Sequence, residues 1–133
     1  MPNLSDIKLR AVIAGALTDN VATLSIMLML MTALSSQGIP EDEIVIRMKS
    51  LSGVLLSFII GLGCTMLGGY VAGRMARQSE VLHGAVIAVL GIVLALVFPE
   101  EGPPAWYHIA GLAGMLPAGM AGGHLAQKRR AAR

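Results

Sequence analysis

Three features of the sequence predict an all-α fold, a four-helix transmembrane bundle. Of the 133 residues, 55% are hydrophobic and only 14% charged, with a mean hydropathy of +0.71. Soluble domains carry about 25% charged residues, so this chain has too little polar surface to wrap a water-facing globule. The charges are also bunched, and charge-poor apolar runs of about 18 residues or more are read as membrane spans. Turn formers and charges interrupt the apolar sequence three times, which places spans at about 9–34, 51–75, 81–98 and 106–125. Together they make one integral membrane domain over residues 1–133.

Residues 1–8 form a short polar lead before the first span. Lys8 and Arg10 before an apolar run, with Ala33-Leu34-Ser35 after it, also fit a secretory signal. The run is longer than a signal core of about 7–15 residues and contains Asp19, which favours a retained helix. Gly38-Ile39-Pro40 breaks that helix, and Pro40-Glu41-Asp42-Glu43 has the proline and acids of a helix start. The amphipathic stretch that follows either lies at the interface or extends the second helix outward. The third span is short, on the order of 27 Å, which still crosses a slightly thinned bilayer. Pro99 to Pro104 forms a turn, and Trp106 and Tyr107 follow where aromatic rings anchor at headgroup level. Pro117 is expected to kink the fourth span.

Orientation follows from the basic residues. Eight of the ten (Lys8, Arg10, Arg74, Arg77, Lys128, Arg129, Arg130, Arg133) fall on one side, and only Arg47 and Lys49 on the other. By the positive-inside rule both termini are cytoplasmic, in a prokaryotic inner membrane. Membrane topology accounts for the basic pI of 9.0, so nucleic acid is not an expected partner. Ala11-Val12-Ile13-Ala14 opens span one and Ala85-Val86-Ile87-Ala88 opens span three. Gly69-Tyr70-Val71-Ala72-Gly73 closes span two and Gly119-Met120-Ala121-Gly122-Gly123 closes span four. Two hairpins of the same orientation would form a parallel repeat about the membrane normal; chance likeness between glycine- and alanine-rich helices is the alternative.

Small residues recur at every fourth position in span two (Gly61, Thr65, Gly69, Gly73) and in span four (Ala110, Gly114, Ala118, Gly122). Lipid gives helices no hydrophobic reason to associate, so such stripes permit close packing instead. They predict either that spans two and four pack together or that one stripe serves a partner subunit.

Asp19 is the sharpest candidate for chemistry. It lies about 15 Å into span one, near the midplane, where an ionised carboxylate costs at least ~2.5–3.5 kcal/mol. Gly15, Ala16, Ala22 and Thr23 make its helix face small and polar, while Thr18 and Asn20 add hydrogen-bonding capacity. Asp19 either takes a proton or ion, or fastens helices as a neutral, hydrogen-bonded acid. Arg74, Arg77 and His83, beside Glu80, are candidates to bind a lipid phosphate, with a plain solvated turn as the alternative.

Other features point away from chemistry. No His-x-x-x-His or His-x-x-Glu spacing occurs, so no metal is expected. Met27, Met29 and Met31 are spaced to fall on different helix faces. Cys64 is a lone cysteine suited to packing. The glycines form no phosphate loop, and nothing resembles a serine or cysteine catalytic set; neither a cofactor nor enzymatic activity is expected.

Leu67 to Arg74, followed by Leu82-His83-Gly84-Ala85, resembles a loose group of small prokaryotic membrane proteins. They share four predicted helices and a Gly-Gly-Tyr-x-Ala-x-Arg helix end near a His-Gly or His-Ala. That resemblance implies a four-helix fold and no activity. The chain is also similar to the small multidrug-resistance transporters in having four short helices and an acid within the first. The resemblance puts Asp19 in the place of their essential glutamate; aspartate for glutamate, scarce aromatics and a longer first outer loop are departures from their pattern. The leading expectation is a structural or accessory subunit acting through helix packing, in a homo-oligomer or larger complex. The alternative is a homodimeric proton- or ion-coupled transporter around Asp19.

Overall fold

The computed structural model describes residues 7–98 and 104–132. The polar lead before Ile7, the turn residues 99–103 and Arg133 lie outside that description. Five helices follow one another: α1 (Leu9–Ser36), α2 (Glu41–Lys49), α3 (Leu51–Ala76), α4 (Glu80–Val97) and α5 (Ala105–Ala131). Among the described residues, α1, α3, α4 and α5 are long and apolar enough to cross a membrane. This is a multi-pass, all-helical membrane protein.

The helix ends have local causes. Pro40 caps α2, whose first turn holds Glu41, Asp42 and Glu43 and whose last turn holds Arg47 and Lys49. Each sign of charge lies where the helix dipole favours it, and Arg47 pairs with Glu43 at 2.7 Å. At Ser50 the backbone is extended, with ψ 161°, and its side chain accepts from the Gly53 amide to start α3. The amphipathic stretch is therefore a separate helix, not an outward extension of the second span. Arg77 ends α3 in the left-handed region, with φ 56°. Ser79 precedes α4 with φ 46°. The α3–α4 turn thus reverses within three residues without a glycine. α5 continues unbroken through Pro117 and past residue 125 to Ala131, because lysine, arginine and alanine favour helix beyond the apolar stretch.

Packing is concentrated at one end. α3 packs against α1, α4 and α5; α1 also touches α4 but does not reach α5. Apart from Ile44, Gly53 and Val54 at the α2–α3 junction, buried residues fall in the first two turns of α1, in 64–76 of α3, in the first half of α4 and in 119–126 of α5. All four stretches lie at the end where the basic residues gather, called here the basic end. Backbones approach there through glycine. A Cβ on Gly122 would strike the Met66 carbonyl and the Tyr70 amide, and one on Gly84 would strike Gly119. Gly15 meets Gly68 and Ala72 so closely that an added Cβ would stand 2.7 Å from each. Toward the opposite end the helices part, and side chains such as Leu28 on α1 are 69% exposed.

Candidate functional site

The basic end holds most of the polar side chains that the fold brings together. Lys8 acts twice: its backbone N–H donates to Nε2 of His83 at 3.0 Å, and its Nζ donates to the Ala76 carbonyl at 2.8 Å. With Nε2 accepting, the proton sits on Nδ1, which donates to the Ser79 carbonyl at 3.0 Å. His83 is 0% exposed. It is therefore removed from the expected headgroup site. Its ring is buried as a link between α1 and the start of α4.

What stands at the surface instead is a cluster of arginines. α3 contributes Arg74, with Arg77 at its C-cap, and the last turn of α5 contributes Arg129 and Arg130. Arg130 donates to the Arg77 carbonyl and lies 2.8 Å from Oε1 of Glu80, a carboxylate only 3% exposed. The hydroxyl of Tyr70 accepts from Arg74 at 3.0 Å and from Arg129 at 3.2 Å. Both guanidinium groups also lie over its ring, at 6.0 and 5.6 Å from the centroid. Gly73, Arg74, Arg77, Glu80, Arg129 and Arg130 border a cavity of about 370 Å³. Four of these residues are far apart in sequence from the other two, which is why residue spacing alone could not assemble them. The signal available was the pairing of basic helix ends in α3 and α5.

The intramembrane polar group is divided. Asp19 faces α3, where its Cβ lies against Gly68 and its carboxyl is near the buried Thr65. The other three bond back to their own helix. Thr18 donates to Ala14, Asn20 to Ala16 and Thr23 to Asp19, each through a carbonyl four residues earlier. Thr18 and Thr23 are half-buried and Asn20 is exposed. Thr18, Asn20 and Thr23 therefore do not join Asp19 in bridging to α3 through these bonds. Among the described residues, no three His, Cys, Asp or Glu side chains gather as metal ligands.

The span-two stripe does not face one partner. Thr65 meets α1, Gly69 meets Gly119 of α5, and Gly73 meets both Glu80 and Ala126. Gly61 meets nothing within 4 Å. A four-residue step on a helix of 3.6 residues per turn advances about 40°, so the stripe winds from one neighbour to the next. In α5, Gly122 touches the α3 backbone and Gly114 faces Leu62, while Ala118 is half-buried. Near the opposite end a second cleft, of about 360 Å³, opens between α3, α4 and α5. Gly61, Leu62, Phe58, Tyr107, His108 and Gly111 are among its lining.

No family model, curated protein or solved structure matches this chain.

Proposed function

We propose that this protein is a structural or accessory subunit of a larger membrane assembly and acts by packing, without catalysis. The observation that carries this reading is the opposite-end cleft. Gly61 and Gly111 line it, yet a Cβ at either would find nothing within 4 Å. A glycine with no helix against it weakens its own helix and gains no contact in return. Against another helix it permits close backbone approach, which is the main source of association in lipid. A partner's helix or an apolar cofactor tail fits such a cleft.

The positive-inside rule supports seating the basic end, and both termini, in the cytoplasm of a prokaryote, with the protein in its inner membrane. A parallel repeat belongs to the same reading. Hairpins α1–α3 and α4–α5 each close through small residues at that end, Gly15 on Gly68 and Gly84 on Gly119.

One observation favours the transporter alternative: Asp19 is only half covered by its own fold, so a second copy could complete its surroundings. Against it, Asp19 lines neither the arginine-bordered cavity nor the opposite-end cleft.

The test is native mass spectrometry of the tagged protein, gently extracted from its own membranes. A stoichiometric companion of different sequence is expected, and Gly61→Leu or Gly111→Leu should release it while the subunit stays folded. A homodimer without a companion, unchanged by both substitutions, would overturn the accessory reading. Attention then moves to proton-coupled flux, which Asp19→Asn should abolish without loss of assembly.

A further inference from the structure

We propose that the arginine-lined cavity at the basic end is a binding site for a phosphate ester anion. The argument begins with charge. Four guanidinium groups border the cavity, and Glu80 is the one carboxylate among its lining residues. That carboxylate is taken by Arg130, 2.8 Å away. Arg74, Arg77 and Arg129 have no carboxylate within ion-pair distance among the described residues.

The second observation concerns how two of them are held. Arg74 and Arg129, from different helices, both donate to the single hydroxyl of Tyr70. A neutral oxygen thus draws together two like charges that both line the cavity. Their mutual repulsion opposes that arrangement, and an anion between them relieves it. Guanidinium pairs are suited to the task, because each offers a planar fork of N–H donors matched to the oxygens of a phosphate.

The remaining lining gives the site a shape. Gly73 is part of its lining, where an added Cβ would stand 3.1 Å from Ala126 and 3.2 Å from Glu80. Glu80, 3% exposed and 2.8 Å from Arg130, offsets one of the four positive charges and leaves a net excess of three. At about 370 Å³ the cavity falls in the size range of small-ligand sites and exceeds what one phosphate group fills. A phospholipid headgroup and a free phosphorylated compound share this chemistry. The site is complete within one chain and does not depend on the partner proposed above.

The experiment uses the full chain in phosphatidylcholine nanodiscs. In one arm, phosphatidylglycerol or phosphatidic acid is added and lipid retention is read by native mass spectrometry. In the other, inorganic pyrophosphate is titrated by calorimetry. Preferential retention of the anionic lipids identifies a headgroup site; saturable pyrophosphate binding identifies a site for free phosphate compounds. In whichever arm binds, the double substitution Arg74→Gln, Arg129→Gln should weaken binding about ten-fold or more. Tyr70→Phe keeps every charge but releases the two guanidinium groups, and should weaken it about three-fold. Arg77→Gln, at an exposed position, provides a test that does not strain the fold. Arg47→Gln at the opposite end should change nothing. No binding in either arm, or equal binding by all the variants, would overturn the proposal.

Discussion

The two ends of this molecule use glycine for different purposes. At the basic end Gly69, Gly84, Gly119 and Gly122 lie where backbones touch, and no side chain fits. At the opposite end Gly61, Gly63 and Gly111 face open space. One residue type, spaced alike along the same helices, closes the bundle at one end and leaves it uncovered at the other. The difference shows that a small-residue pattern identifies a helix suited to close packing without saying what packs there.

The sharpest way to break that comparison is at the closed end. Gly122→Leu would drive a side chain into the α3 backbone at Met66 and Tyr70. A cost of about 3 kcal/mol or more is expected, since overpacking here meets backbone that cannot yield as a side chain does. Unfolding in mixed micelles would show it, and wild-type stability would mean the α3–α5 contact is not rigid.

A smaller loss is expected from His83→Leu, which keeps the apolar bulk but removes both hydrogen bonds of the ring. It leaves the Lys8 N–H and the Ser79 carbonyl without those partners, at about 1–3 kcal/mol. Hydrogen exchange should localise the loosening to the start of α1; protection unchanged there would dissolve the proposed link.

The smallest effect should come from Gly61→Ala. With nothing within 4 Å, its methyl group meets no neighbour in the subunit. Helix propensity then predicts a gain of up to about 1 kcal/mol in the isolated protein. Destabilisation instead would mean that a helix already covers this face.

Much of this contrast was hidden in the sequence for a physical reason. Apolar length is a property of each segment alone, so the four spans were legible, and Pro40 with its acids announced α2. Leu51 was legible as the start of the second span. Whether the amphipathic stretch before it lies apart or continues that span was not, because a serine such as Ser50 can equally continue a helix or cap one. The facing of each small residue depends on neighbours distant in the chain. Gly61 to Gly73 read as one stripe, but its winding assigns it first to α1, then to α5, and at Gly73 to α4 and α5 together. His83, between apolar and basic sequence, read as interfacial; only the Lys8 amide, 75 residues earlier, explains its burial. Asp19 was legible as a residue needing a partner, and Thr65 was already singled out, though for its size.

The clasp at Lys8 also sets an order of events during synthesis. Helix α1 is made first, yet its fastenings are all made later. Asp19 waits for Thr65, and Lys8 for Ala76 and His83. Until α3 has been made, α1 is without the helix that covers Gly15 and Asp19, and its link to His83 can form only after the α3–α4 turn. Among the five helices, insertion machinery that shelters such a segment would therefore serve α1 longest, and a stall before residue 83 would leave it held by α3 without the His83 link.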